Sequence, residues 1–372
     1  MKKDILDLTF SELECEIQKL NLPVFRVKQI FAGLHKYNNN KFYEIKGISK
    51  EIATTLESKF FIPESTMIKK IESEIDKTLK FLFSVGEHKN VITIIESVLI
   101  SDKARNTICV STQAGCNAGC EFCATGKMGF VRNLKSSEIV MQIYNISKIC
   151  SIKPTNIVFM GMGEPFLNYK NFIRALKILT NKNGFGIPSS KITISTIGIK
   201  GMLKKFADDI MNNDDENLSN TKLAISLHST NNGIREKIIP LSKKYNLKNV
   251  YDDLIYLYRK TKNKITYEYI YFNRFNDTEN DIKRIVKLSK MIPCNFNVIN
   301  FHPVNGALIE PLDIIRKKMG IKKSLLYDDL NNFIEKLRNY KVVVNLRNSS
   351  GVDINAACGQ LAVNSLTQNS NE

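Results

Sequence analysis

An α/β fold built on a partial, open (β/α)6 barrel, preceded by a helical module and a short β-rich extension, is predicted by three features of this 372-residue sequence. Apolar runs rich in β-branched residues recur at 107–112, 156–160, 191–196, 222–227, 265–272, 294–301 and 341–346. Helical patterns fill the intervals at about 135–149, 169–181, 199–211, 247–262, 277–291 and 323–339. The repeats are too few to close an eight-fold barrel. Alternation of this kind argues for parallel βα units, because parallel strands need a long and usually helical crossover. Functional residues are then expected at the C-terminal ends of the strands.

Ahead of the barrel, Phe10 to Leu20 is amphipathic, with Thr9 or Ser11 available as its cap. Pro23 punctuates. Phe25 to Tyr37 forms a second, basic helix carrying Arg26, Lys28, His35 and Lys36, which could hold phosphates. Its aromatics Phe25, Phe31 and Tyr37 fall at helical spacing, which favours a core role over base stacking. Ser49 can cap a third helix through Phe60. From Met67 to Ile100 the pattern alternates, as in Leu79-Lys80-Phe81-Leu82-Phe83-Ser84-Val85 and Val91-Ile92-Thr93-Ile94, and predicts antiparallel strands. The expected units are a helical module at 1–62, a β-rich extension at 63–106, the barrel at 107–362 and a polar tail at 363–372. Segment 212–220 is polar and reads as an exposed insertion.

Hydrophobic residues make up 43% and charged residues 24%, enough for a sizeable core and against wholesale disorder. Lys and Arg number 54 against 37 acidic residues, a net charge of +17 that points toward a polyanion, either nucleic acid or an anionic membrane surface. Richness in Lys, Ile and Asn is also what a biased genome base composition would produce, which weakens that inference. No run of 18 apolar residues exists, and the N-terminus lacks the features of a signal peptide, so a cytoplasmic protein is expected. Eight cysteines in such a compartment point to metal binding or redox chemistry rather than structural disulfides. Cys109, Cys116, Cys120 and Cys123 crowd together, whereas Cys15, Cys150, Cys294 and Cys358 are scattered. For Cys150 and Cys294, at the end of a helix and the start of a strand, burial is the default.

Cys116-Asn-Ala-Gly-Cys120-Glu-Phe-Cys123 is a C-x3-C-x2-C run just past the first barrel strand. Three thiolates on one loop can ligate three irons of a cubane and leave the fourth without a protein ligand. An open iron suits chelation of the amino and carboxylate groups of S-adenosylmethionine, whose carbon–sulfur bond can then be broken by one electron. Phe122 would pack beside such a cluster, and Gly115 and Gly119 let the loop wrap closely. The alternative is a structural zinc with Cys109 as fourth ligand, but zinc ligands usually come as two CxxC knuckles. Gly161-Met-Gly163-Glu164 follows another strand, and Glu164 can accept hydrogen bonds from an ammonium or a ribose.

These and further motifs resemble the RlmN/Cfr family of radical S-adenosylmethionine RNA adenosine methyltransferases over nearly the whole chain. They are Cys109-Val-Ser-Thr-Gln-Ala-Gly-Cys116, Gly161-Met-Gly-Glu-Pro-Phe-Leu-Asn168, Ile194-Ser-Thr-Ile-Gly198, Ser226-Leu-His228 and Asp353-Ile-Asn-Ala-Ala-Cys-Gly-Gln-Leu361. The resemblance implies a TIM-like radical S-adenosylmethionine barrel and one [4Fe-4S] cluster on Cys116, Cys120 and Cys123. It also implies S-adenosylmethionine contacts from Gly163, Glu164, Ser195, Ser226, Leu227, His228 and His302, and an RNA-contacting N-terminal module. By the same resemblance Cys358 is the cysteine that becomes methylated, Cys109 resolves the resulting protein–RNA thioether through a transient disulfide, and Glu96 accepts the ring proton. Adenine C2 and C8 are poor nucleophiles, which is why a thiolate must carry the methyl group. Alone, Cys358 would read as a small buried residue and Glu96 as part of a solvated face.

The implied substrates are an adenosine of 23S rRNA in the peptidyl-transferase centre and the adenosine beside a tRNA anticodon, with an electron donor such as flavodoxin or ferredoxin. No membrane is implied, and nothing demands more than a monomer. His302 stands where the family usually has Asn, a change of geometry and charge. Pro165 matches the C2-methylating branch, whereas Ser195-Thr-Ile-Gly198 and Ser350 lean toward the C8 branch, which confers antibiotic resistance. C2 is the preferred reading; a C8 methyltransferase, a radical enzyme with another substrate and a zinc-stapled RNA-binding module are the alternatives. Lys127 and Arg132, in the stretch after the cluster cysteines, are expected to meet RNA phosphate.

Overall fold

The computed structural model describes residues 2–102, 104–212, 218–302 and 323–362. Pro303, the tail 363–372 and most of the polar segment 212–220 lie outside the described residues. The helical module comprises β1 (Lys3–Asp4), α1 (Phe10–Lys19), α2 (Phe25–His35), α3 (Lys50–Lys59) and β2 (Phe60–Phe61), the last pairing with β1. Thr9, not Ser11, caps α1. Its hydroxyl accepts from the Glu12 N–H while the Glu12 carboxylate accepts from the Thr9 N–H at 2.9 Å, so two otherwise orphaned donors are satisfied together. Ser49 caps α3 through the Ile52 N–H.

In α2 only Phe31 of the three aromatics is core. Phe25 and Tyr37 are exposed, each beneath a neighbouring cation, Arg26 and Lys36. His35 is no phosphate ligand either: it is buried against Phe31 and bonded through Nδ1 to the Tyr144 hydroxyl. The turn of helix that carries it packs inward.

Strands β3 (Thr66–Glu72), β4 (Leu79–His88) and β5 (Val91–Asp102) form an antiparallel meander, and β5 pairs antiparallel with β6 (Arg105–Cys109). The extension therefore continues the barrel sheet rather than forming a sheet of its own. A small hairpin of β7 (Gln113–Gly115) and β8 (Phe130–Asn133) encloses the short helix α4 (Ala124–Lys127). The repeating units follow in chain order: α5 (Ser136–Cys150), β9 (Asn156–Phe159), α6 (Tyr169–Thr180), β10 (Ile192–Thr196), α7 (Met202–Met211), β11 (Lys222–Ser226), α8 (Asn232–Ile238), α9 (Leu247–Thr261), β12 (Ile265–Tyr271), α10 (Glu279–Ser289), β13 (Cys294–Asn300), α11 (Lys323–Asn339) and β14 (Val344–Arg347).

The sheet has ten strands in the order β14-β13-β12-β11-β10-β9-β6-β5-β4-β3, and all pairings from β6 to β14 are parallel. It curls: the Arg347 guanidinium at the end of β14 lies 3.7 Å from Sδ of Met160, the residue just past β9. That contact makes the C-terminal strand ends the rim of one cleft. Ser111, Ser97 and Gln142 lock β5, β6 and α5 together below it, with Gln142 Oε1 accepting from both Ser97 Oγ at 2.7 Å and the Ser111 N–H at 2.8 Å. Among the described residues no helix is long and apolar enough to cross a membrane.

Candidate active site

The three clustered cysteines sit on a loop whose shape β7 dictates. Gly115 has φ +70°, and a Cβ there would overlap the Gly129 carbonyl oxygen, so only glycine lets the hairpin close. Cys116 then donates its N–H to that same carbonyl at 2.9 Å. From outside, the Glu121 N–H bonds the Ile238 carbonyl at the end of α8. Cys116, Cys120 and Cys123 all line one cleft of about 1060 Å³, counting its mouth. Burial pushes all three thiols upward, and the charges of Cys116 and Cys123 push Cys120 further still. Three facing sulfurs of this kind are stable as thiolates only around a cationic group, which the donor set therefore fits.

The turn after β9 forms the adjoining wall. Gly163, at φ +100°, passes so close to Gln113 that a Cβ would lie 2.6 Å from that side chain. Glu164 is buried and accepts from the Phe166 N–H at 3.0 Å, the Thr196 hydroxyl at 2.7 Å and the Ile197 N–H at 2.9 Å. Burial raises its pKa against these donors and against Arg235. Ser195 and Ser226, on adjacent strands, face each other with 3.4 Å between hydroxyls. His228, at φ +52°, turns its ring edge toward Phe122, 4.7 Å between centroids, and its Nδ1 accepts from the Ile270 N–H. Burial pushes its imidazole down to about 3, so it is neutral. His302 also lines the cleft, half-buried. Leu227 does not line it. Its side chain is buried, and its backbone is held by the Glu268 carbonyl and by Arg235, which leaves its neighbours Ser226 and His228 at the wall.

Cys358 is exposed at the crest of an arch whose flanking residues Ala357, Gln360 and Leu361 are buried. On one side the Ala124 N–H bonds the Gly359 carbonyl at 2.6 Å and the Thr125 hydroxyl bonds the Leu361 carbonyl at 2.6 Å, tying the arm to the cysteine loop. On the other, Ser73 and the Glu74 N–H bond Asp353, and the Gly351 N–H bonds Asp76, tying it to the β3–β4 turn. Cys358 lines the cleft with the other three cysteines. Cys109, at the end of β6, is buried behind it, and burial first, then the Cys358 charge, push its thiol up to about 12 while Arg347 opposes. Glu96 is also behind the arm rather than on the cleft wall. It is fully buried, not on a solvated face, and its Oε2 accepts from the Ala362 N–H at 2.9 Å. Burial raises its carboxyl to about 7, with Lys80 opposing.

One expectation fails here. Arg132 is engaged by Glu138 in a two-pronged pair at 2.7 and 2.8 Å and donates to the Val85 carbonyl, so it staples β8 to α5 and β4 instead of facing solvent. Lys127 is paired with Glu121 but keeps 35% of its side chain exposed, so it stays within reach of a polyanion. In the other direction, Arg235 had no signal in the sequence, yet it is buried and its guanidinium donates to the carbonyls of Ile197, Ser226 and Leu227, which clamps the ends of β10 and β11 beneath the site.

The radical SAM superfamily model matches residues 110–288. Over 361 residues the chain is 38% identical to "Probable dual-specificity RNA methyltransferase RlmN" of Fervidobacterium nodosum, covering 97% of each. It is 38% identical to the protein of the same name in Clostridium novyi over 367 residues, 99% of this chain and 100% of that one. The crystal structure of a radical SAM methyltransferase from Sphaerobacter thermophilus superposes with a TM-score of 0.80 at 30% identity, covering 96% of this chain and 99% of that one.

Proposed function

The chain belongs to the RlmN family of radical S-adenosylmethionine RNA methyltransferases, and on that premise we propose that it methylates C2 of an adenosine in the peptidyl-transferase centre of 23S rRNA, and of the adenosine beside a tRNA anticodon. The observation that carries this reading is the convergence of Cys358 with Cys116, Cys120 and Cys123 on one cleft, with Cys109 behind it. Cys116, Cys120 and Cys123 would hold a [4Fe-4S] cluster. Gly163, Glu164, Ser195, Ser226, His228 and His302 would surround S-adenosylmethionine, with Leu227 backing them. When bound, cluster and S-adenosylmethionine supply one-electron chemistry able to remove hydrogen from a methyl group.

The chain's own residues do the rest. Cys358 Sγ, losing its proton, accepts a methyl group from a sulfonium. Once that carbon is bonded to adenine and the adduct has given up its one unpaired electron, which balances the electron spent in cleaving S-adenosylmethionine, Glu96 takes the ring proton. The Cys109 thiolate then attacks Cys358 Sγ; the S–S bond forms as the carbon–sulfur bond breaks, and the electron pair passes to the adenine side, where protonation completes the methyl group. External thiols or a reductase restore the two thiols, and a donor such as flavodoxin or ferredoxin supplies electrons. A monomer suffices, and the substrates put the work in the cytoplasm.

The test is anaerobic turnover of reconstituted enzyme with reductant, S-adenosylmethionine and unmodified 23S rRNA fragments or tRNA, followed by nucleoside mass spectrometry. Formation of 2-methyladenosine is expected. Formation of 8-methyladenosine, or of no methylated adenosine, overturns the reading.

A further inference from the structure

Lys80 is a charged residue inside a strand that is buried on both faces. Its neighbour Phe81 is the register partner of Ser97, which bonds Gln142, so that face of β4 and β5 meets α5. Lys80 points the other way, toward the arm. There its ammonium lies 3.6 Å from Glu96 Oε1 and donates to the Asn355 carbonyl at 3.3 Å. Both side chains are almost wholly out of solvent, at 5% and 0% exposure.

The surroundings of Glu96 are otherwise neutral. From the arm comes the Ala362 N–H; from the turn after β9 comes the Met162 thioether, bonded to the Glu96 N–H; from beyond β6 comes the Ser111 hydroxyl, bonded to the Glu96 carbonyl. Among the described residues Lys80 is the charged side chain that acts on the carboxyl. Burial alone would keep a carboxyl protonated and useless as a base. At 3.6 Å the ammonium is near enough to favour the ionised form but makes no hydrogen bond to Oε1, which accepts none. That oxygen is buried and keeps an unused acceptor position for a proton.

We propose that Lys80 is a positioning residue for proton transfer: its charge favours the ionised form of the Glu96 carboxyl beneath the arm that carries Cys358, and its hydrogen bond to Asn355 joins that charge to the arm. The inference rests on the reading of Glu96 as proton acceptor. In the step concerned one proton passes from the adenine ring carbon to Glu96 Oε1, and no electrons are gained or lost.

The Ala362 amide is the reporter, because it is bonded to Glu96 Oε2. In the full chain labelled with 15N-alanine, its chemical shift is followed against pH in the wild type and in Lys80→Met, Lys80→Gln and Lys80→Arg. Loss of the charge should raise the midpoint by about 1–3 pH units, and Lys80→Arg should restore it. Equal midpoints in all four proteins overturn the proposal. Should Lys80→Met not fold, Lys80→Gln, which keeps a donor for Asn355, carries the same comparison. Single turnover of the reconstituted enzyme on an rRNA fragment completes the test. At pH 7 the uncharged variants should accumulate the covalent protein–RNA adduct and clear it only at a pH higher by the same interval. If Glu96→Gln clears its adduct as fast as wild type, the reading of Glu96 falls, whatever the amide titration gives. If Glu96→Gln stalls while Lys80→Met keeps the wild-type pH profile, the role of Lys80 falls.

Discussion

Arg347 and Glu268 form an ion pair, Nη1 to Oε2 at 3.2 Å, that ties the last strand of the sheet to a central one. Glu268 is held in turn by Asn297 Nδ2 at 2.9 Å. The guanidinium so fixed sits where the charges of both Cys109 and Cys358 act on it. Arg347→Gln should therefore raise the Cys109 thiol further and leave less thiolate to attack the thioether, about tenfold less for every pH unit by which the thiol rises. Persistence of the protein–RNA adduct in single turnover, relieved by raising the pH, is the expected result; adduct decay at the wild-type rate would remove Arg347 from the chemistry.

Cys109→Ala should leave RNA attached to Cys358, visible as a slow band on denaturing gels, because no second sulfur remains to open the thioether. Cys358→Ala should form neither adduct nor methylated adenosine, yet retain cleavage of S-adenosylmethionine. Free turnover by the Cys109 variant would contradict the two-cysteine scheme.

Gly115→Ala drives a Cβ into the Gly129 carbonyl oxygen at a left-handed φ. The hairpin must open, at a cost of about 1–3 kcal/mol, and the cysteine loop goes with it. Iron and sulfide per chain after reconstitution should fall well below the wild-type value, while the helical module stays folded.

How much of this was legible can be judged element by element. The runs that became β6 and β9–β13 stood out because strands largely buried on both faces read as continuous apolar stretches; β14, an edge strand, showed through Val342-Val343-Val344. α8 did not, since seven residues with Arg235 and Lys237 in the last turn show no apolar stripe. The C-x3-C-x2-C run carried its meaning in spacing alone. Lys80, Arg235, Glu268 and Arg347 did not, because each is defined by a partner far away in the chain, and a charge in a strand reads first as a solvated face. Arg132 misled for a different reason: its partner Glu138 is only six residues on, across a turn, and makes a brace of a basic residue.

Arg132→Ala should accordingly lower stability rather than RNA affinity. The pair with Glu138 is mostly out of solvent, at 16% and 13% exposure, and losing one partner should cost about 2–3 kcal/mol, somewhat less than for a fully buried pair. Thermal unfolding and an RNA-binding titration on the same variant separate the two effects.

Acid should weaken the fold through its buried imidazoles. Burial pushes His35 and His228 down to about 3, from an ordinary value of 6.5. Above 6.5 neither state binds the proton. Below it the unfolded chain does and the native one does not, so stability falls with pH until about 3. Each group contributes a slope of about 1.4 kcal/mol per pH unit. His35→Phe should flatten the stability–pH slope across that window by this amount, whatever it does to stability at pH 7, and denaturant titrations at several pH values would reveal it.

The hydrogen bond from Ser73 to Asp353 spans 280 residues of sequence, and that from Ala362 to Glu96 spans 266. Segments this far apart in the chain must therefore meet before the Cys358 sulfur has its seat. A nascent chain can build its cysteine loop and most of its sheet while still on the ribosome, but the thiol that would act on RNA is delivered last. A prematurely terminated product lacks it altogether. The seat of Cys358 is thus assembled late, by contacts that reach back from the 353–362 arm to segments already made.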